Sequence, residues 1–457
     1  TYQGIAPEAN LYFQAMEDDD SGALYSIGIN SMLNEAYNAG ARLHTNSWGS
    51  PTGGEYTTSS EDADDRVSTW DQYWQYQGMT VLFAAGNERN DGISSPGTAK
   101  NVITVGGHVN RYNGAPDDMY YWSSRGPTDD GRIKPDLVGP GDYVRSCKSQ
   151  EASSASGSWS NNWYLEYSGT SMATPATAGA AVLVREYLME IASRPAPQAA
   201  LIKALLILGA EDMGVRDIPN NNEGWGRVNL VNSLIPESDV GIFVDDRSRL
   251  SSGQISDYSF DITRGGEELK VVLAWSDYPG SSSSSTQLRN DLDLEITNPN
   301  GLLFKGNVFT NGESVANGQK DSKNNVINLV GDKYEKTFKR TFNEPGKYIG
   351  ILTVTDDRGA THTHQVDVTV TKGDGYGEDI GEEEGYSQMV IVGAAAVAIL
   401  GLVGGAMEIN RMRGGEEDGF EEMFEDITPG PLELNCPNCN GLISITTTQR
   451  PIQIGCP

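Results

Sequence analysis

Cysteine is scarce: four in 457 residues are too few for a disulfide scaffold. Cys147 stands alone in the first half, while Cys436, Cys439 and Cys456 crowd the end. Basic residues are short as well. Lysine and arginine total 33 against 63 aspartates and glutamates, a formal net charge of −30. A phosphate backbone would repel such a chain, which argues against nucleic-acid binding. The same balance suits a surface-exposed protein kept soluble by its own charge. No signal peptide opens the sequence and there is no initiator methionine. The chain enters at Thr1 as if in mid-domain, so its N-terminus is expected to be cut. The length suffices for two or three domains.

What is present centres on Ser168-Gly169-Thr170-Ser171-Met172-Ala173-Thr174-Pro175. This stretch ends a polar, Ser/Gly-rich loop and opens an apolar helical run at 176–189. A serine there has its hydroxyl beside the unpaired N–H groups and positive dipole end of a helix, where an oxyanion is readily held. By itself the pattern is equally a Ser/Thr helix cap, with Pro175 tolerated in the first turn. Upstream, residues 79–85 read as a fully buried strand stopping at Gly86-Asn87. An amide at the carboxyl end of a buried parallel strand lies where open α/β sheets place their sites.

These two blocks, with Asn46-Ser47-Trp48-Gly49-Ser50, Ser123-Ser124-Arg125-Gly126-Pro127, Gly131-Arg132-Ile133-Lys134-Pro135-Asp136 and Gly224-Trp225-Gly226-Arg227-Val228-Asn229, resemble the subtilisin-like serine proteases, the subtilases. The resemblance covers roughly the first half of the chain. It implies Ser171 as nucleophile, with the Asn87 side-chain amide and the Ser171 N–H as oxyanion donors. Ser47, Trp48 and Gly49 would form one wall of a channel in which an extended polypeptide pairs as an added strand. Ala84, Ala85 and Gly86 would line the pocket for the residue before the scissile bond, with Gly169 and Thr170 beside the nucleophile. No cofactor is implied for catalysis.

The resemblance also requires a histidine block and an aspartate block, and neither occurs here. The histidine belongs shortly before the segment matched at Gly4-Ile5-Ala6-Pro7-Glu8-Ala9, off the front of the chain. None of the four histidines replaces it. His44 reads as a strand residue, His108 as a loop residue, and His362 and His364 as alternating on a strand. These residues alone are therefore expected to be inactive. A nucleophile elbow using Ser171, Asp291 and His362 is the alternative arrangement. It is disfavoured because Ala173 stands where the second glycine belongs and no convincing buried strand enters Ser171.

Helices are expected at 23–39, 61–77 and 195–208, and strands at 10–16, 79–85 and 101–106. Alternating strands and helices predict an α/β fold, a subtilisin-like parallel sheet covered on both faces, over residues 1–235. Residues 236–335 turn to β-rich alternation and resemble the β-sandwich that follows the catalytic domain in some subtilases. Asp277, Asn290, Asp291 and Asp293 there are oxygen ligands of the kind calcium prefers, though turn-capping acids look the same. Residues 336–372 resemble the closing strands of an immunoglobulin-like repeat, and 373–388 are an acidic, glycine-rich linker.

Residues 389–407 carry no charge and are long enough to cross a bilayer as a transmembrane helix. Arg411 and Arg413 follow it and only acids precede it, which places the tail, 408–457, in the cytosol and the protease-like half outside. Cys436-Pro437-Asn438-Cys439 with Cys456 offers three of the four ligands of a zinc ribbon. The expected function is a membrane-anchored, outward-facing serine endopeptidase of polypeptides. A catalytically dead protease scaffold that serves as a surface binding protein is the alternative.

Overall fold

The computed structural model describes residues 3–16, 28–73, 75–110, 114–149, 161, 163–235, 241–246, 250, 254–258, 268–298, 301–316 and 325–329, with short strands beyond. Four parallel strands form the central sheet: β1 (Leu43–Asn46), β2 (Thr80–Ala84), β3 (Ile103–His108) and β4 (Leu137–Pro140), hydrogen-bonded in that order. Side chains alternate across a strand, and both faces of β2 are covered. Val81 and Phe83 join a core with α1 (Ile29–Asn38) and α2 (Thr58–Val67). Leu82 joins the opposite core, built by α3 (Thr170–Glu190) and α4 (Ala199–Gly209). The expected α/β fold is therefore present, closed by a short α5 (Leu230–Leu234).

Close packing of α3 on the sheet depends on Gly139 in β4. A Cβ there would lie 2.5 Å from Thr177 Oγ1 and 3.0 Å from the Ala173 carbonyl, so any side chain would push the helix outward.

Three local expectations need correction. Helix α2 stops at Val67 rather than 77, because the hydroxyls of Ser68 and Thr69 bond back to the Asp64 and Asp65 carbonyls at 2.8 and 2.7 Å. Residues 10–16 form no strand: Gln14 bonds to His44 and the Met32 carbonyl, and Leu11 and Phe13 are 93 % and 89 % exposed. Helix α3 begins at Thr170, so Pro175 sits inside it rather than in its first turn. Proline has no N–H to offer the carbonyl four residues back. That carbonyl is Ser171's, and it accepts instead from the Ser47 hydroxyl at 2.7 Å.

A two-stranded antiparallel pair, β5 (Val144–Cys147) with β6 (Tyr164–Tyr167), leads into α3. Beyond α5 lie β7 (Ile242–Val244), β8 (Glu268–Leu273), β9 (Glu295–Thr297), β10 (Leu303–Thr310), β11 (Glu313–Ala316) and β12 (Asn325–Leu329). They form two four-stranded sheets, each completed by a later segment. Ile351–Thr353 pairs with β9, and Gln388–Val392 runs parallel to both β8 and β7. Tyr258, Leu269, Val271, Leu294, Phe304 and Ile327 form a common apolar cluster.

The first four residues of the expected membrane helix thus belong to a strand; Val390, Ile391 and Val392 are β-branched and suit a pleated sheet. No helix among the described residues is long and apolar enough to cross a membrane. Residues 393–407 lie outside the described residues, as do Cys436, Cys439, Cys456, His362 and His364 and most of 336–372 and of the linker 373–388. Residues 397–457 form a separate unit, in which Leu432–Asn435 and Leu442–Ile445 make an antiparallel pair.

Candidate active site

The carboxyl end of β2 and the amino end of α3 meet. Gly169 caps the helix with φ +146° and ψ 163°, a region open essentially to glycine. Its N–H donates to the Gly141 carbonyl at 2.7 Å, tying the helix mouth to the residues just past β4. Thr170 follows, and its N–H donates to Asn87 Oδ1 at 2.9 Å. The Thr170 hydroxyl lies 3.1 Å from the Gly86 carbonyl and 3.2 Å from Asn87 Oδ1. These bonds anchor Asn87 by its oxygen. Its Nδ2 group makes no hydrogen bond among the described residues and is left as a donor beside Gly169.

Ser171 is the second residue of α3. The sequence-predicted nucleophile and amide are therefore one residue apart in space, bridged by Thr170. The Ser171 hydroxyl donates to the Ser47 carbonyl at 2.9 Å. Its own N–H, one of the orphan donors of the first turn, has no acceptor among the described residues. Asn87 Nδ2 and Ser171 N–H are thus two unengaged donors of the kind that can receive an oxyanion.

The residues expected to line a channel sit as follows. Ser47 is exposed beside the helix mouth, Gly49 is exposed next to Ser94 and Ser95, and Trp48 packs edge-on against Phe83, centroids 5.3 Å apart. Ser50 and Ser95 exchange backbone bonds at 2.8 and 2.9 Å, which fixes the wall. Ala84 and Ala85 are fully covered, so Gly86 alone of that trio reaches open surface.

Glu88 was not anticipated. Its Oε2 accepts the Asn87 N–H at 2.7 Å and the hydroxyls of Ser124 and Ser94 at 3.1 and 3.4 Å. It therefore braces the backbone at Asn87. An acid directly after a strand-end amide was the available signal.

Neither described histidine serves Ser171. His44 Nε2 lies 2.9 Å from Gln14 Oε1, and burial pulls its ring down to about 4. His108 Nδ1 lies 2.7 Å from the Val109 carbonyl, and burial lowers it too. A nucleophile elbow is also excluded by geometry, because β6 enters from an antiparallel pair outside the central sheet.

Of the expected calcium ligands, Asp277 is engaged elsewhere. Its Oδ2 meets Lys100 Nζ at 2.5 Å with both side chains buried, and its Oδ1 accepts the Asn290 N–H and side-chain amide, each at 2.9 Å. This pair spans 177 residues and clamps the β-rich segment to the sheet end at Lys100.

The acids that do cluster within 4.8 Å among the described residues are Asp212, Asp217 and Glu223, in the loop after α4. Glu223 is only 4 % exposed, and burial pushes its carboxyl up to about 7. As pH rises from about 4.5 the unfolded chain gives up this proton first, so the native state loses stability until about pH 7 and no further. The total loss is up to about 3 kcal/mol. Glu223→Gln should flatten that decline in melting temperature, with the variant at least as stable as the parent at pH 8. An unchanged decline would assign it to other groups.

The subtilase family model (Peptidase S8) matches residues 2–226. Serine protease/ABC transporter B family protein tagD of Dictyostelium discoideum is 27 % identical, over 72 % of this chain and 26 % of that protein. Serine protease AprX of Bacillus subtilis is 34 % identical, over 51 % of this chain and 53 % of that protein. The chain thus spans between about a quarter and about half of the length of these relatives. Among solved structures, the prenylagaramide maturation protease PagA aligns at 22 % identity over 48 % of this chain and 70 % of that one, with a TM-score of 0.37. Residues 2–226 form a domain of the subtilase family of serine proteases.

Proposed function

We infer that the protein is a serine endopeptidase that cleaves polypeptides by acyl transfer to Ser171. The observation that carries this reading is the bond from Thr170 N–H to Asn87 Oδ1, which sets a helix-mouth hydroxyl and a strand-end amide at one point. In the proposed reaction the Ser171 oxygen attacks the scissile carbonyl, and the oxyanion is received by Asn87 Nδ2 and Ser171 N–H. The hydroxyl is bonded to a carbonyl, not to a base. The proton must therefore pass to a histidine from outside the described residues. Ser47, beside the helix mouth, and Gly49, next to Ser94 and Ser95, flank an extended substrate.

The test compares the protein expressed from its whole gene with the same protein carrying Ser171→Ala, on an unfolded polypeptide such as casein. Hydrolysis is expected from the first and none above background from the second. A whole-gene protein that cleaves no polypeptide would overturn the reading.

The finer proposals rest on sequence. A membrane anchor over the uncharged residues 389–407, oriented by Arg411 and Arg413 with the protease outward and the tail cytosolic, would require residues 389–392 to leave the strand that pairs with β8 and β7. Cys436, Cys439 and Cys456 support a structural zinc in that tail. A calcium ion on Asp277, Asn290, Asp291 and Asp293 would have to displace Lys100 from Asp277.

A further inference from the structure

The residues after Asn87 run beside a second segment, and backbone bonds lace the two together. Ser124 N–H donates to the Gly86 carbonyl at 2.9 Å, Arg89 N–H to the Trp122 carbonyl at 3.1 Å, and Arg125 N–H to the Arg89 carbonyl at 2.9 Å. Glu88 N–H adds a bond to Ser124 Oγ at 3.1 Å. This lacing holds Arg89 and Arg125 together, with Arg89 only two residues, or at most about 7 Å of backbone, from Asn87.

Among the described residues neither guanidinium has a counter-ion. The Nε of each is buried without a hydrogen-bond partner, and no side-chain hydrogen bond or ion pair of either arginine occurs among the described residues. Glu88, the adjacent acid, turns its Oε2 to Asn87, Ser94 and Ser124 instead. Burial, and then the like charge of Arg89, draws Arg125 below its ordinary value. Two arginines held together without an acid cost stability, and the cost is odd in a chain of net charge −30. The Arg89 guanidinium carbon sits 3.9 Å from the centre of the Tyr121 ring. Stacking of this kind covers one face of the cation and leaves its N–H edges for a ligand. Tyr121 and Trp122 pack edge to face at 4.8 Å and are 53 % and 54 % exposed, an aromatic rim beside the pair.

We propose that Arg89 and Arg125 form a carboxylate-binding subsite of the substrate channel, so that the protein selects polypeptides with an acidic group near the bond to be cut. A planar carboxylate matches the fork of a guanidinium, and two forks exceed what one surface cation offers. The carboxylate comes from an aspartate or glutamate side chain or from a chain terminus. The assignment rests on the endopeptidase reading, whose groove it extends.

The test measures binding rather than turnover, by fluorescence polarisation of labelled peptides on the 457-residue chain. The peptides differ only in one Glu or Gln, and in a free or amidated C-terminus. The Glu peptide is expected to bind about 10- to 100-fold more tightly than its Gln twin. Arg125→Gln and Arg89→Gln should each bring that ratio close to one without changing the affinity of the neutral peptide, while Arg125→Lys keeps part of it. A ratio that follows the free C-terminus instead, and is lost in the same variants, assigns the subsite to a chain terminus. Equal binding of all peptides by the parent chain overturns the subsite and leaves the endopeptidase reading standing. A ratio retained in Arg125→Gln of unchanged melting temperature also overturns it. Binding of none overturns both.

Discussion

Alanine at Ser171 is expected to lower peptide hydrolysis by the whole-gene protein on the order of 10⁶-fold, the loss found when a subtilisin's nucleophile is removed. The hydroxyl supplies the bond-forming oxygen, and no neighbour replaces it: Thr170, one residue earlier, has its own hydroxyl directed at Gly86 and Asn87. Asn87→Ala should cost less, about 10²–10³ in turnover, again a reference value drawn from a subtilisin. It removes one oxyanion donor and leaves the Ser171 N–H. It also frees the Thr170 N–H, so some of the loss comes from a loosened helix mouth. Asn87→Gln separates the two, since a longer amide can reach Thr170 while misplacing its donor. The two alanine losses should not multiply in the double variant, because a donor to the oxyanion contributes little once no oxyanion forms. Steady-state turnover of a labelled peptide at saturating substrate reads the parent and the four variants.

Asp136→Ala is expected to destabilise the α/β domain by about 3–5 kcal/mol, although Asp136 touches no substrate. Its Oδ2 meets Lys134 Nζ at 2.7 Å, its Oδ1 meets Lys203 Nζ at 2.6 Å, and Thr104 N–H donates to Oδ2 at 2.7 Å. All three charged side chains are buried to within 3 % of completely. Burial alone would lift the Asp136 carboxyl, but the ammonium groups of Lys134 and Lys203 outweigh it and hold the group below its ordinary value. Removing the carboxylate leaves two buried cations with only carbonyls and the Thr104 hydroxyl for company. Adding Lys203→Met should recover part of the loss, which a mere packing defect would not allow. Urea unfolding followed by tryptophan fluorescence measures it. A loss under about 1 kcal/mol would mean that the lysines shed their protons instead.

The meeting of the proposed nucleophile and amide could be expected from sequence because each sits at a junction with a local signature. Ser171 opens a helix after a glycine-rich loop, and Asn87 ends an unbroken apolar strand. The start of α3 was misjudged for a physical reason: Pro175 looked like a first-turn residue, and nothing local announces that Ser47, 124 residues away, satisfies the carbonyl it orphans. The charged pairs were invisible for the same reason. Lys100 meets Asp277 only after the β-rich segment folds back, and Arg89 meets Arg125 only when two loops lie side by side. Lysines and arginines read as solvated surface until the fold shows what surrounds them.

The central claim is that Ser171 and Asn87 act on one oxygen. A crystal structure with a peptide boronate tests it most directly, because the boronate forms a tetrahedral adduct like the one proposed. The account predicts boron bonded to Ser171 Oγ and one boronate oxygen about 2.7–3.1 Å from both Asn87 Nδ2 and Ser171 N. A boronate bound to Ser171 with Asn87 turned away, or seated elsewhere on the protein, would contradict it.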